Sequence, residues 1–308
     1  MVLLADWAKA QGAAPPLVFC VDHGLRPEAK AETKKVMAWA RAAGLRGLVL
    51  RDVEGAPITD NLEAAARALR YRLMGEALRK KRLAALYVAH TEDDQAETFL
   101  IRLGRGSGVD GLSGMRSLAP FPDPNFTELT LARPLLSFSR VVLREYLAGE
   151  DHPWIDDPMN ADTRFTRVRI RQAWPELTAL GLTPRRLVET CGHLARAREA
   201  LELAAEAVVA RACRPHAGGV LIDPNALSQA PPELALRALA GALMLVSGNP
   251  YRPRFDRLQA LYAAIAQGGL KNGRTLHGCR IAPAPKTARL FGSMTVLIAR
   301  EKPRSPPK

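Results

Sequence analysis

Cysteine is scarce: the 308 residues hold four, at positions 20, 191, 213 and 279, and no two of them form a Cys-x-x-Cys pair. That spacing signals neither a zinc site nor a disulfide framework, and it fits a reducing cytoplasm. Long apolar runs are missing as well. The longest, such as Leu239–Val246, fall well short of the roughly 20 residues that span a bilayer, so no transmembrane helix and no membrane partner are expected. Residues 1–11 are apolar but carry Asp6 and lack both a basic leader and a small-residue cleavage site; they read as a truncated first helix and not as a signal peptide. Aromatics make up only 6% of the chain and do not interleave with basic residues, which argues against a stacking platform for single-stranded nucleic acid. Acidic residues are outnumbered, 31 Asp+Glu against 44 Lys+Arg, for a formal charge of +13 that invites a polyanionic partner.

What is present is a globular composition. With 47% hydrophobic residues the chain can build real cores, which excludes a disordered basic tail protein. The charge is unevenly placed: residues 1–170 hold 24 Lys+Arg and 22 Asp+Glu, a net of +2, whereas residues 171–308 hold 20 and 9, a net of +11. A nearly balanced half beside a basic half suggests a chemical domain joined to a docking domain; a basic face raised for solubility explains the same count.

The apolar run Leu17–Asp22, followed by Leu48–Leu50 and Leu83–Ala89, reads as strands buried on both faces of a parallel sheet. Helical stretches Glu28–Ala43 and Asn61–Arg82 lie between them, with Gly44 placed as a C-cap. The alternation predicts a doubly wound, mainly parallel α/β sheet, in which ligands bind at the carboxyl ends of strands, near Asp22-His23-Gly24 and His90-Thr91. After about residue 172 the alternation stops. Helices are predicted over Pro184–Arg214, Pro231–Val246 and Pro253–Ala266, each opening on a proline, then a small antiparallel sheet within Arg274–Arg300 that includes Thr287–Phe291 and Thr295–Ala299. The expected domains are therefore 1–172, catalytic; 173–300, basic and mostly helical; and 301–308, a Pro- and Lys-rich disordered tail.

The densest chemical cluster is His90-Thr91-Glu92-Asp93-Asp94-Gln95-Ala96-Glu97-Thr98, directly after a predicted strand. A threonine cap with acids in the first helical turn explains Glu92 and Asp93. It explains Asp94 and Glu97 less well: they are three apart, share a face, and could hold a metal, an ammonium group or a catalytic proton. Gly104 to Met115 holds five glycines in twelve residues, but it follows a helix and has no lysine in a phosphate-loop position, so alone it is a weak signal. Arg67 and Arg70 lie one helical turn apart and could face one phosphate cluster, or simply form a solvated face. Arg164, Arg167, Arg169 and Arg171 alternate, which would aim them to one side of an extended segment. The lone histidines 152, 193, 216 and 277 read as structural or surface residues.

Taken together, Val21-Asp22-His23-Gly24-Leu25-Arg26, the Asn61–Tyr71 stretch, His90 through Met115, Arg133-Pro134-Leu135-Leu136, and Trp154–Arg171 with Asp157, Asn160, Asp162 and Phe165 resemble the tRNA(Ile)-lysidine synthetases, a family of the PP-loop (N-type) ATP pyrophosphatase superfamily. The matching segments cover about half the chain in the family's order, and Gly273–Ile281 looks like a variant of a short tRNA-binding extension. The resemblance implies an adenine nucleotide alpha-hydrolase-like fold and a cytoplasmic ligase. ATP, with Mg²⁺, would activate the C2 oxygen of the wobble cytidine of an isoleucine tRNA with a CAU anticodon, releasing pyrophosphate. Free L-lysine would then displace AMP to leave lysidine. It implies catalytic roles for Asp94, Glu97, Arg67 and Arg171, and ATP or substrate binding by Asp22, His23, His90, Arg70, Gly106, Gly108 and Arg167. The assembly could be a homodimer.

One departure stands out. The family's Ser-Gly-Gly-x-Asp-Ser loop is absent from these residues, and Met1–Trp7 looks like the helix that follows it. The first strand and loop would then lie upstream of Met1, and the chain as written would be inactive or impaired. Val168 stands where many family members carry Asn. Two other readings remain: a non-catalytic tRNA-binding remnant, and a tRNA-thiolating PP-loop enzyme, against which the cysteine spacing counts.

Overall fold

The computed structural model describes residues 1–22, 29–52, 62–155, 162–249, 251–270 and 272–301. In chain order the elements begin α1 (Val2–Ala10), β1 (Leu17–Asp22), α2 (Ala29–Ala42), β2 (Arg46–Arg51), α3 (Leu62–Lys80), β3 (Ala85–Tyr87), α4 (Glu92–Leu103) and α5 (Val109–Leu112). They continue β4 (Leu118–Pro120), β5 (Thr130–Ala132), α6 (Arg140–Gly149), α7 (Thr166–Gln172), α8 (Trp174–Ala179) and α9 (Pro184–Ala212). The last are β6 (Cys213–His216), β7 (Gly219–Ile222), α10 (Pro224–Ser228), α11 (Pro232–Ser247), α12 (Phe255–Ala266), β8 (Arg274–Leu276), β9 (Cys279–Pro283) and β10 (Val296–Arg300). Among the described residues no helix is long and apolar enough to cross a membrane.

Contacts group the chain into two units. The first comprises Met1–Arg105 and Gly114–Val188, the second Gly106–Ser113 and Glu189–Lys308. The glycine-rich segment after α4 therefore belongs, by its contacts, with the basic half.

The first unit is α/β. β1 and β2 pair in parallel, Leu17 opposite Arg46 through Asp22 opposite Arg51. β3 and β5 form a second parallel pair, with β4 antiparallel on the far edge of β5. Gly44 ends the turn after α2 at φ +71°, a left-handed conformation that glycine adopts without a Cβ clash. α3 packs its Tyr71, Met74 and Leu78 onto the apolar centre formed by Leu86, Phe121, Phe126, Leu129 and Leu131. Gly75 is what lets α3 come so close: a Cβ there would lie 2.6 Å from the Phe126 ring. Tyr71, Phe121 and Phe126 meet edge to face, at 5.7 and 5.9 Å between ring centres.

The second unit is an antiparallel sheet in the order β6-β7-β10-β9-β8, with α11 against β7, β9 and β10. Its core joins Ile222, Ile281 and Ile298 from the sheet to Leu239 and Leu243 of α11 and Ile265 of α12, all buried. Each such side chain contributes about 1.5–3 kcal/mol of apolar burial. β8 and β9 turn through His277 and Gly278 at φ 58° and 71°, the paired positive angles of a two-residue hairpin whose twist matches its strands.

Three local expectations are corrected. The helix expected to Arg214 ends at Ala212, because residues 213–216 pair with β7, which pairs in turn with β10. Thr287–Phe291 is no strand: Lys286–Ala288 forms a short 3₁₀ turn after Pro285, and the Phe291 N–H donates to Thr295 Oγ1 at 2.9 Å. Arg164–Arg171 is not extended, since α7 occupies Thr166–Gln172. Its arginines follow helical spacing, with Arg167 and Arg171 on one face, Arg169 donating to Thr166 and Arg164 pairing with Asp162.

Candidate active site

The site is assembled at the carboxyl ends of β3 and β5. After β3 the chain passes through His90 to Thr91, the N-cap of α4. The Asp94 N–H donates to Thr91 Oγ1 at 3.4 Å, while Asp94 Oδ2 accepts from the Thr91 N–H and from its hydroxyl, both at 2.9 Å. This reciprocal box gives Asp94 a capping role that the sequence reading gave to its neighbours. Asp93 has a different duty, accepting from the Arg140 N–H at 2.7 Å and so fixing the start of α6. Asp94 Oδ1 faces two cations, Arg140 and Arg167, each at 3.9 Å.

One turn on, Glu97 is fully buried, with 0% exposure. A carboxylate so placed is costly unless both oxygens are satisfied. Oε1 accepts from Arg171 Nε at 2.6 Å, and Oε2 from Arg167 at 3.1 Å and more distantly from Arg171 at 3.4 Å. Arg167 also donates to Thr98 Oγ1 at 3.2 Å. α7 is thereby fastened to α4, and two guanidiniums are held with fixed orientation. Gln95 fastens the other flank of α4, its amide donating to Met115 O at 2.9 Å and accepting from the Met115 N–H at 2.6 Å.

His90 directly precedes the Thr91 cap. Burial pushes its pKa below the usual histidine range, Asp94 opposes the shift, and Arg133, Arg67 and Arg167 add to it, so the ring is held neutral. Arg67 reaches the cluster from α3, lying over the Tyr71 ring at 4.9 Å and donating to its hydroxyl at 3.4 Å. Arg70 is exposed on the same helix. Asp22 is buried at the carboxyl end of β1 and accepts from Arg51 Nε, at the end of β2, at 2.9 Å. His23, Asp157 and Asn160 lie outside the described residues. Gly106 and Gly108 fall in the second unit, where Gly106 takes φ +70° and the Gly108 carbonyl accepts from the Leu112 N–H that closes α5. There Asp110 accepts from Arg237 at 2.9 Å and from Arg252, and Ser113 from the buried Arg198.

Gln95, Arg133 and Arg140 belong to the site, yet the sequence reading assigned them no role. Position in the Asp-Asp-Gln-x-Glu segment was the available signal for Gln95, and position in the matching Arg-Pro-Leu-Leu segment for Arg133; Arg140 is joined to the site only by folding. Among the described residues no three of His, Cys, Asp and Glu come together as a metal-holding group. Glu97 is saturated by its arginines and Asp94 gives one oxygen to Thr91, so among the described residues no set of carboxylates is gathered for Mg²⁺.

Residues 1–177 match the PP-loop domain family. A tRNA(Ile)-lysidine synthase of Methylobacterium nodulans is 40% identical over 304 residues, covering 94% of this chain and 88% of its own. The chain belongs to the tRNA(Ile)-lysidine synthase family. Members from Rhodopseudomonas palustris (37% identical, covering 97% of this chain and 86% of theirs) and Wolbachia pipientis wMel (34%, covering 98% and 67%) match it over most of its length. These relatives are tRNA-modifying enzymes built on an ATP-binding domain. The lysidine synthase fold extends further: the U34-tRNA thiolase NcsA of Methanococcus maripaludis, only 13% identical, superposes with a TM-score of 0.51 over 63% of this chain and 68% of its own.

Proposed function

We propose that the chain is the ATP-dependent ligase that converts the wobble cytidine of isoleucine tRNA with a CAU anticodon to lysidine, using free lysine. Family membership supports this reading, and one observation carries the assignment of roles: the two acids of α4 are used unequally. Both oxygens of Glu97 are saturated by Arg167 and Arg171, whereas Asp94 commits only Oδ2 to the cap and keeps Oδ1 at 3.9 Å from its nearest cations. Asp94 Oδ1 is then the oxygen able to hold the lysine ammonium and take its proton as the amine attacks C2. The new carbon–nitrogen bond forms as the bond from C2 to the oxygen carrying AMP breaks. Glu97 is a positioning residue that fixes Arg167 and Arg171.

In the adenylation step, negative charge grows on the reacting phosphoryl group. Arg67, Arg167 and Arg171 are cations suited to stabilise it, preorganised by Tyr71 and Glu97. The basic residues 173–300 serve to hold tRNA by its phosphates. No Ser-Gly-Gly-x-Asp-Ser loop occurs in the 308 residues, and the reading includes an impaired ATP step for these residues alone.

The test is incorporation of labelled lysine into isoleucine tRNA, with release of AMP and pyrophosphate, assayed with these residues and with a chain supplied with the loop. Incorporation by the second, dependent on both ATP and lysine, is expected. If tRNA binds but neither chain incorporates lysine, the tRNA-binding remnant replaces this reading.

A further inference from the structure

Two buried polar atoms at the ends of neighbouring strands have no hydrogen-bond partner among the described residues: Nδ1 of His90, after β3, and Nε of Arg133, after β5. β3 and β5 run parallel with Tyr87 opposite Ala132, and the Val88 N–H donates to Ala132 O at 2.9 Å. The two residues therefore leave the sheet side by side and in the same direction.

Arg133 is the more unusual of the pair. It is 8% exposed, and its side chain donates to one backbone carbonyl, that of Arg116, at 2.9 Å. No carboxylate pairs with it among the described residues. Burial pushes its pKa down and the guanidiniums of Arg67 and Arg102 add to that, opposed only by the neutral phenol of Tyr71. Arginine cannot shed its proton to escape this cost, so a buried guanidinium without a counter-charge calls for an anion. Asp94, the acid that acts on His90, is bound through Oδ2 to Thr91.

We propose that Arg133, together with His90, forms a subsite for a phosphoryl group at the carboxyl ends of β3 and β5. The planar fork with its unpaired Nε suits a phosphate oxygen. The functional reading above enters only in the two sources considered for that phosphoryl group, a nucleotide or an RNA backbone.

The experiment is calorimetric titration of the 308-residue chain and its Arg133→Met and Arg133→Lys variants with inorganic pyrophosphate, an anticodon stem-loop RNA and free lysine, alongside unliganded melting curves. Arg133→Met is expected to weaken pyrophosphate or RNA binding at least tenfold while leaving the unliganded Tm equal or higher, since a buried unpaired charge is removed. Arg133→Lys should keep part of the affinity, and it carries the test if Arg133→Met does not fold. A loss confined to pyrophosphate assigns the phosphoryl group to a nucleotide; a loss confined to RNA assigns it to the backbone. Unchanged affinity for both in either variant, or a loss for lysine alone, overturns the subsite. Lysine transfer is not the readout, so its failure would count against the functional reading and leave the subsite standing.

Discussion

Arg171 donates its Nε to Glu97 at 2.6 Å across 74 residues of sequence, and this bond joins α4, the helix after the β3 strand end, to α7. Because Glu97 is fully buried and its arginines are partly exposed, the pair is asymmetric. Glu97→Ala strands two cations near the core and is expected to cost about 2–4 kcal/mol in urea unfolding. In the Glu97→Ala, Arg171→Met double variant the cost should be well below the sum of the two single losses; strict additivity would mean that the bond does not couple the helices.

Asp94→Asn keeps an oxygen for the Thr91 cap but loses the charge at the second oxygen. Stability should change by less than about 1 kcal/mol. Lysine incorporation by the loop-supplied chain should fall at least a hundredfold, chiefly through kcat, as for a lost proton acceptor. Steady-state kinetics with varied lysine check this, and unchanged kcat would remove Asp94 from the reaction.

The neutral His90 makes stability depend on pH. Its folded pKa is lowered below the unfolded value near 6.5, so in the window between the two only the unfolded chain takes up the proton. The contribution is fully present above about pH 6.5 and is lost as pH falls toward the folded pKa. Denaturant melts of the native chain and His90→Gln over pH 5 to 8 should show a steeper acid-side loss for the native chain. Parallel curves would rule out His90 as the source.

Gly219 is a position where the backbone leaves no room. A Cβ there would lie 2.1 Å from the carbonyl oxygen of Ile298 in β10. Gly219→Ala must break or shift the β7–β10 ladder, and a loss of at least about 2 kcal/mol is expected by thermal or urea melting. A native-like midpoint would show that the two strands can separate at that point without cost.

Asp110 carries two arginines, one of them, Arg237, with a side chain only 3% exposed. Asp110→Asn should destabilise the second unit by about 1–3 kcal/mol and open Gly106–Ser113 to protease. Mass spectrometry of limited digests locates the cut; resistance equal to the native chain would mean that Arg198 and Ser113 alone hold the segment.

Strand β1 was legible at both ends, because Leu17–Asp22 is apolar on both faces and stops at a charge, the pattern of a strand covered on two sides. The position of Thr91, Asp94 and Glu97 on one helix was legible from cap chemistry and spacing. Arg164–Arg171 was not: a period of two and a spacing of four both fit its arginines, and α7 brings Arg167 and Arg171 to Glu97, about 70 residues earlier. Strand Gly219–Ile222 was hidden for a related reason, since beside its local partner Cys213–His216 it pairs with residues 296–299, near the far end of the chain.

The membership of Gly106–Ser113 bears on how this enzyme can be taken apart. A deletion that keeps only residues 189–308 removes Asp110 and leaves the buried Arg237 only its partner Glu233, and one that keeps only residues 1–188 leaves Asp110 and Ser113 without the arginines that hold them. No single scission yields both halves intact. The chain is interleaved at that point, so a functional fragment would have to be spliced from two pieces of sequence, and recombination between relatives should preserve residues 106–113 together with Arg198, Arg237 and Arg252 as one inherited set.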